Sequence, residues 1–311
     1  MFKDYSQINY PADVPKYRRS LYRANWQLLT KKTGRLLLLA GDQRIEHLNE
    51  DFFGPEIDLA DNDPEHLLAI ANKSEIGAVA VHYGLASRYG EVYRHSNYVI
   101  KLNGKTNLLP GDADSRLLAT VDQSIELSKQ AGFRLAGVGY TIYLGSQYEG
   151  RMLAEAAEVI RQAHDNGLLA ILWIYPKGVN VKDEEAVATI AGATGVAISL
   201  GADFVKVKLP KPLTVKSIER IVGAAGLTRV VFAGGASYSM DKLLKDTESQ
   251  LKAGGAGLAI GRNAHQRSEA EAVKLLNGLA NMIYEEKSAK EVLEDMNSQK
   301  KSKKSSLRKK K

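Results

Sequence analysis

Two lysines interrupt an apolar run that otherwise has the composition of a buried strand. Residues 201–210 read "GADFVKVKLP", in which Lys206 and Lys208 alternate with Val205 and Val207. Because side chains alternate across a strand, the two ammonium groups share one face and the valines share the other. Desolvation and a nearby cation both lower the pKa of a buried lysine. A lysine with a lowered pKa is the nucleophile that Schiff-base chemistry on a ketone requires.

Lys206 lies deeper in the predicted strand than Lys208 and is therefore the predicted nucleophile. Either Lys208 or Lys101 could supply the cation that lowers its pKa. The same spacing has a second interpretation, in which both lysines bind a phosphorylated substrate or pair with Asp42. Spacing alone leaves both interpretations open.

Polar residues also end other apolar runs of the chain. They are Asp42, followed by Gln43, Arg44, Glu46 and His47; Lys101 and Asn103; and Trp173 and Tyr175. Asp42 and Tyr175 are residue types that can move protons at substrate carbons. An aspartate at such a position also fits a helix N-cap, and a tyrosine fits a core residue with a hydrated hydroxyl, so neither is diagnostic alone.

Two glycine-containing strand ends predict a phosphate site. The sequence "AGGAS" holds Gly234, Gly235 and Ser237, and "IGRN" holds Gly261 and Arg262. Glycines let backbone N–H groups approach an anion, and an arginine adds bidentate donors. A Gly-Gly pair alone is most often a tight turn, but two such ends on neighbouring strands favour phosphate binding.

The elements that must position these residues are eight apolar runs, which alternate with amphipathic helical stretches. The runs cover residues 35–42, 76–82, 98–104, 134–141, 168–175, 203–209, 229–235 and 257–263. This alternation is typical of a parallel sheet with helical crossovers, and eight strands predict a closed (β/α)8 TIM barrel. An open doubly wound sheet is the alternative, but a G-x-G-x-x-G turn is missing after the first run.

The chain divides into three parts. Residues 1–34 form a predicted N-terminal helical extension, whose one amphipathic helix should pack over a barrel end or a neighbouring subunit. Residues 35–287 form the barrel, and residues 288–311 form a basic low-complexity tail. Residues 300–311 hold eight Lys and Arg and no acid, whereas the first 299 residues hold 35 basic and 36 acidic groups. We expect residues 300–311 to be disordered, as a solvated end or as a weak, salt-dependent contact to RNA or another polyanion.

Composition excludes several classes of site. The 311 residues include no cysteine, which excludes disulfides and Cys-based metal centres and fits a cytosolic protein. No apolar run approaches the roughly 20 residues of a membrane span, and the N-terminus lacks a secretory signal pattern. The six histidines include no close helical pair. We therefore predict a cytoplasmic protein with no membrane segment and no metal site.

The order and placement of these motifs resemble those of the archaeal-type class I fructose-1,6-bisphosphate aldolases, a DhnA-like group of lysine aldolases related to DeoC and LacD. The motifs that carry the resemblance are "AGDQRIEHLN", "IKLNGKTNL", "GVGYTIYLGS", "LWIYPKG", "GADFVKVK", "FAGGAS" and "IGRNAHQR". The resemblance implies a metal-independent enzyme without a cofactor, acting on a phosphorylated sugar, in which Lys206 forms the imine. It also implies a homo-oligomer.

The resemblance further implies roles for individual residues. Tyr175 would be the acid/base group at the enamine carbon, and Asp42 would handle the proton of the hydroxyl on the cleaved carbon. Trp173 would line the pocket, and Gly235, Gly261 and Arg262 would hold a phosphate. We add Lys101, Lys177, Lys208, Gly234 and Ser237 as candidate substrate-binding residues.

Two departures from the family pattern put the exact substrate in doubt. Many relatives read Asp-His-Gly where this chain has Asp42-Gln43-Arg44, and they often have arginine where Lys177 stands. Both positions lie beside the second end of the substrate. The alternatives are therefore a related lysine enzyme on another phosphorylated ketose, such as an aminodideoxyheptulosonate synthase or a thiolase-like enzyme of sugar-phosphate signalling. A remote alternative is a barrel without catalysis that binds RNA through its tail.

Overall fold

A closed barrel of parallel strands forms the centre of the molecule. The computed structural model describes residues 2–108, 110–235 and 239–308, with side chains described through Ser298. Within these ranges, eight strands pair in the order β1-β8-β7-β6-β5-β4-β3-β2, and β1 closes the barrel against both β2 and β8. The strands are β1 (Leu36–Ala40), β2 (Ala78–His82), β3 (Asn97–Lys101), β4 (Arg134–Leu144), β5 (Leu169–Pro176), β6 (Phe204–Val207), β7 (Arg229–Ala233) and β8 (Gly257–Ile260). The predicted TIM barrel is confirmed.

Helices lie outside the strands and follow the signals in the sequence. They are α1 (Arg19–Thr30), α2 (Gln43–Glu46), α3 (Pro64–Lys73), α4 (Tyr83–Tyr89), α5 (Val121–Ala131), α6 (Glu149–Asp165), α7 (Val187–Leu200), α8 (Val215–Ala224), α9 (Met240–Lys252), α10 (Arg262–His265), α11 (Glu269–Glu285) and α12 (Ala289–Arg308). Thr120 and Gln123 form a capping box at the start of α5, and Asp63 caps α3 ahead of Pro64. These caps satisfy backbone N–H groups that have no partner inside the helix.

Strand alternation divides the core into two layers. Phe204 of β6 packs inside the barrel with Trp173 and Val231, whereas Val205 and Val207 face the layer between strands and helices. Lys206 therefore points into the barrel, as the sequence predicted. The same two-residue period brings polar residues of several strands to one end of the interior.

Helix α1 closes the opposite, N-terminal end of the barrel. Trp26 packs on Phe204 with ring centroids 5.3 Å apart, and the hydroxyl of Tyr22 donates to Asp203, just before β6. Val14 and Leu29 join the same apolar cluster. The extension thus packs over a barrel end, one of its two predicted positions.

The C-terminal helix begins inside the predicted tail. Ala289, Val292 and Met296 of α12 are buried, and α12 contacts α9 and α11. A spacing of three and four residues places these side chains on one helical stripe. The packed chain therefore extends to Met296, past the predicted boundary at residue 287, because three apolar residues suffice to dock an otherwise polar helix. The interpretation of residues 300–311 stays a prediction.

Among the described residues, no helix combines the length and the apolar composition that crossing a bilayer demands.

Candidate active site

Lys206 is the buried amine at the centre of the site. Lys206 is 6% exposed. On β6 it lies in register with Trp173 on β5 and with Val231 on β7. Burial lowers the pKa of Lys206 below its usual value; Asp42 opposes this shift, and the neighbouring charge of Lys101 adds to it. A larger fraction of Lys206 is therefore the free amine than would be so for a lysine exposed to water at the same pH.

Asp42 and Lys101 form a buried ion pair beside Lys206. The ammonium of Lys101 donates to Oδ2 of Asp42 at 3.2 Å, and the Lys101 side chain is fully buried. Burial alone would raise the pKa of Asp42, but Lys101, Lys206 and His82 together hold it well below its usual range. Asp42 is therefore a carboxylate at neutral pH, and its charge compensates the buried ammonium of Lys101.

Trp173 forms an aromatic wall of the pocket. The Nζ atoms of Lys101 and Lys206 lie 5.2 and 5.6 Å from the centre of its ring. Gly139 on the adjacent strand β4 makes room for the indole, because a Cβ at that position would lie 2.4 Å from the Trp173 ring. The indole shields both amines from water and presents them a π face.

Tyr175 lies nearer the mouth, on the same face of β5 as Trp173. Burial raises the pKa of the Tyr175 phenol well above its ordinary value, and the charges of Asp42 and Glu46 add to this shift. Tyr143, its register partner on β4, lies with its ring centroid 6.1 Å from that of Tyr175. Tyr175 is therefore protonated at neutral pH.

Lys208 does not act as the cation beside Lys206. The strand ends at Val207, and Nζ of Lys208 donates to Glu184 at 2.5 Å in the segment between β5 and α7. Of the two cations that the sequence left open, Lys101 is the one whose charge lowers the pKa of Lys206.

The glycine loops after β7 and β8 lie side by side. The side-chain amide of Asn263 donates to the carbonyl oxygen of Gly234 at 3.0 Å and joins the two loops. Gly235 has a φ of +70°, and a Cβ on Gly261 would strike the Gln43 side chain. Both positions thus favour glycine. Ser237, the remaining predicted phosphate residue of the first loop, lies outside the described residues.

The two predicted cations at the mouth differ in environment. Arg262 begins α10, its side chain is 40% exposed, and Nη1 lies 3.6 Å from Oδ1 of Asp51. Lys177 is exposed, just beyond the end of β5. Both side chains are at least partly open to solvent.

Sequence reasoning gave no role to several side chains that the fold brings to this site. His82 at the end of β2 has a pKa lowered to about 4 by burial and by Lys101, so it is neutral and its Nε2–H donates to the Asn103 carbonyl. The Asn103 side chain bonds the backbone of Thr141 in both directions, at 2.7 and 2.8 Å. Glu46 accepts a hydrogen bond from Tyr143. His82 and Asn103 lie at or just after strand ends, and Glu46 lies in the helix that follows β1; these positions were the available signal.

Comparison with known proteins identifies the group to which this arrangement belongs. The sequence model described as DeoC/LacD family aldolase matches residues 36–267, which include all eight strands. The chain belongs to the DeoC/LacD family of aldolases. It is accordingly a lyase.

Relatives of this aldolase include well-matched full-length proteins. The chain is 45% identical to the fructose-bisphosphate aldolase/6-deoxy-5-ketofructose 1-phosphate synthase of Methanocaldococcus jannaschii, covering 92% of this chain and 93% of the relative. The structure of the fructose-bisphosphate aldolase from Slackia heliotrinireducens matches with a TM-score of 0.92 and 42% identity over 96% of each chain.

A third match is a structure that contains a covalent reaction intermediate. It is an archaeal fructose-1,6-bisphosphate aldolase whose catalytic lysine is covalently bound to the carbinolamine intermediate of its substrate. Its TM-score is 0.75 and its identity 32%, over 85% of this chain and 99% of that one.

Proposed function

We propose that this aldolase reversibly cleaves fructose 1,6-bisphosphate to dihydroxyacetone phosphate and glyceraldehyde 3-phosphate through a lysine imine. The observation that carries the proposal is the buried Lys206 amine, whose pKa is lowered and which lies beside Asp42 and Lys101. The names of the relatives support the substrate.

Covalent bond formation begins at the C2 carbonyl of the open-chain sugar. The neutral amine of Lys206 attacks C2, water leaves, and the cationic imine draws electrons from the C3–C4 bond as it breaks. Tyr175 then protonates the resulting enamine at C3, and water hydrolyses the imine. The raised pKa of Tyr175 means that the phenol carries its proton at neutral pH, as a proton donor must before this step.

Asp42 was predicted from the sequence to handle the proton of the hydroxyl on the cleaved carbon. Asp42 is the proposed acceptor of this proton, because its carboxylate is ionised at neutral pH and lies beside Lys206.

Phosphate binding is proposed for the two ends of the sugar. The backbone around Gly234, Gly235 and Gly261, with the guanidinium of Arg262 and the predicted Ser237, would hold one phosphate. Lys177 and Lys208 would reach the other from the ends of β5 and β6. Lys101 acts on the substrate through Asp42 and Lys206.

A second candidate activity rests on the M. jannaschii relative, whose name includes a 6-deoxy-5-ketofructose 1-phosphate synthase. Such an activity would still use a lysine imine and a phosphorylated ketose, but with a different second substrate. The differences from the family pattern at Gln43, Arg44 and Lys177 are compatible with such a change. Comparing rates with a panel of phosphorylated ketoses and aldehydes separates the two activities.

Three further properties stay predictions of this proposal: activity without a metal ion or cofactor, a cytoplasmic location and assembly as a homo-oligomer. Among the described residues, no group of three or more His, Cys, Asp and Glu could hold a metal ion. Full activity in EDTA is the expected result.

The first test is borohydride trapping of the imine. The protein is incubated with fructose 1,6-bisphosphate or dihydroxyacetone phosphate in EDTA, reduced with sodium borohydride and examined by intact mass and peptide mapping. We expect a reduced adduct on the peptide that contains Lys206. Lys206→Met should abolish the adduct and turnover while the fold is retained, whereas Lys208→Met should still form the adduct. An adduct on Lys208 instead would show that Lys208, and not Lys206, is the nucleophile.

A further inference from the structure

One carboxylate at the rim of the site joins the loops that follow three neighbouring strands. Asp112 lies in the 110–115 segment, which comes after β3. Its Oδ2 accepts the backbone N–H of Gln147, in the loop after β4, at 2.6 Å. Its Oδ1 accepts the backbone N–H of Val179, beyond the end of β5, at 3.2 Å. Because β4 pairs with both β3 and β5, this single side chain connects three consecutive parts of the rim.

The 110–115 segment is itself hydrogen-bonded to buried groups at the strand ends. The hydroxyl of Ser146, a buried residue, donates to the carbonyl oxygen of Ala113 at 2.7 Å. The side-chain amide of Asn103 donates to the hydroxyl of Ser115 at 2.9 Å, and both of these residues are fully buried. Asp112 therefore extends from an anchored segment, and its two hydrogen bonds locate the neighbouring loops relative to β3.

The bond to Val179 holds the turn that carries Lys177. The backbone N–H groups of Lys177 and Gly178 donate to the carbonyl oxygen of Leu144, the last residue of β4, at 3.2 and 2.9 Å. Val179 is 74% exposed, so apolar packing of its side chain does not fix the turn. Backbone hydrogen bonds hold the turn at both ends, and Asp112 accepts the one beyond Gly178.

The negative charge of Asp112 would by itself weaken the binding of an anionic sugar at this rim. The proposed substrate carries a phosphate at each end, and Lys177 is proposed to bind the phosphate away from the glycine loops. Like charges repel, so a carboxylate close to that phosphate opposes its binding. A lysine presents one point charge on a flexible stem, so the position of its backbone determines what the ammonium can reach. The hydrogen bonds of Asp112 thus have a role that its charge does not explain.

We propose that Asp112 is a positioning residue that places Lys177 to bind the C6 phosphate, and that it thereby sets a preference for a ketose that carries this phosphate. The inference rests on the proposed cleavage of fructose 1,6-bisphosphate. Asp112 touches none of the reacting carbons in this role. Its effect is confined to the binding of the half of the sugar that becomes the aldehyde product, and dihydroxyacetone phosphate binds without it.

The experiment compares two sugars in a double-mutant cycle. The second sugar is fructose 1-phosphate, which keeps the C2 carbonyl and the C1 phosphate and lacks the C6 phosphate. Asp112→Asn replaces one acceptor oxygen by an amide NH2 that cannot accept a hydrogen bond. We expect this variant to raise KM for fructose 1,6-bisphosphate about 10-fold with kcat nearly unchanged. Lys177→Met should also raise KM, and the double variant should be no worse than Lys177→Met alone, because Asp112 acts through Lys177.

Matched variants and substrates separate this role from a general structural one. Asp112→Glu keeps two acceptor oxygens and should recover part of the lost affinity. Asp112→Asn should cleave fructose 1-phosphate and form the borohydride-trapped adduct with dihydroxyacetone phosphate as the wild type does, which also shows that its fold is retained. The control is Asp122→Asn, at an exposed aspartate in the first turn of α5, and it should change the cleavage of neither sugar.

Three results would overturn the role of Asp112. A KM for fructose 1,6-bisphosphate that is unchanged or lower in Asp112→Asn would show that its hydrogen bonds do not aid binding. An equal loss with both sugars, or a loss of trapping with dihydroxyacetone phosphate, would show a general structural effect. Additive losses in the double variant would show that Asp112 does not act through Lys177. Failure of the proposed function looks different, because wild-type enzyme would then cleave neither sugar and form no adduct.

Discussion

At the scale of single residues, the pKa of Lys206 is set by neighbours that have opposite effects on it. Burial and Lys101 favour its neutral form, whereas Asp42 favours its charged form. Lys101 also holds Asp42 through the 3.2 Å ion pair, which limits how strongly Asp42 can bind Lys206. Removing Lys101 would therefore free Asp42 for Lys206 as well as delete a repulsive charge.

The variant Lys101→Met should accordingly raise the pKa of Lys206. Imine formation needs the free amine, so the acid limb of the trapping rate should move to higher pH, and the rate at neutral pH should fall. The measurement is the rate of adduct formation with dihydroxyacetone phosphate across a pH series. Lys129→Met, an exposed position on α5, serves as control. An acid limb unmoved by Lys101→Met would show that Lys101 does not tune the amine.

Strand alternation was sufficient to predict the inward lysine, because the two-residue period of β6 depends only on local sequence. It failed for Lys208, since the strand ends one residue earlier and the side chain is free to reach Glu184. The bond between Tyr143 and Glu46 spans 97 positions of sequence. Only closure of the barrel brings such residues together, so no local pattern could indicate the pair.

At the scale of elements, β4 and β5 are fitted to each other around one indole. Gly139 and Trp173 lie on neighbouring strands, and the glycine leaves space that the ring fills. Trp173 in turn borders both amines. The packing of β4 against β5 at this point therefore also sets where the indole lies beside the amines of Lys101 and Lys206.

The variant Gly139→Ala should lower stability and activity together. The added methyl would lie 2.4 Å from the ring, so the indole must shift, and overpacking of this kind costs about 1–3 kcal/mol. Urea denaturation and the cleavage rate measure the two effects.

Gly192→Ala is the control for the alanine itself. Gly192 is exposed within α7, a Cβ there meets nothing within 4 Å, and alanine should stabilise the helix by up to about 1 kcal/mol. If Gly139→Ala behaved as this control does, the indole would not be confined by β4.

The element order was predictable because each strand is a short apolar run and each crossover has helical periodicity. The packed part of α12 was not, since Ala289, Val292 and Met296 are few and lie in a polar stretch. Their burial depends on the surface that α9 and α11 provide.

At the scale of the whole molecule, a buried polar network ties the N-terminal extension to the barrel. His164 donates from Nε2 to Asp203 at 3.3 Å and from Nδ1 to Asp13 at 2.8 Å, and Tyr22 donates to the same Asp203. Burial alone would lower the pKa of His164, but the hydrogen bonds and charges of Asp203 and Asp13 raise it to about 9. The imidazolium thus joins two carboxylates from distant parts of the chain.

This network predicts a loss of stability on the alkaline side. Because the folded pKa of about 9 exceeds the unfolded value of 6.5, the stabilisation is complete below pH 6.5 and is lost as pH rises through 9. The shift corresponds to about 3 kcal/mol. Urea midpoints of the wild type should fall over this interval, and those of His164→Asn should fall less. Parallel pH profiles of the two proteins would contradict this role.

Helix α1, which closes the N-terminal end of the barrel, also limits the paths by which small molecules can enter and leave the interior. Trp26 packs on Phe204 of β6 and Tyr22 bonds Asp203 just before it, both at the N-terminal end of the barrel. The proposed sugar substrate would therefore enter, and its products would leave, at the opposite rim, where the glycine loops lie. In the proposed reaction, the aldehyde product is free once the C3–C4 bond breaks, whereas the other product stays bound to Lys206 until water hydrolyses the imine. The two products would therefore leave one after the other. An aldehyde that enters by the same rim before the imine is hydrolysed would react with the enamine and re-form the six-carbon sugar.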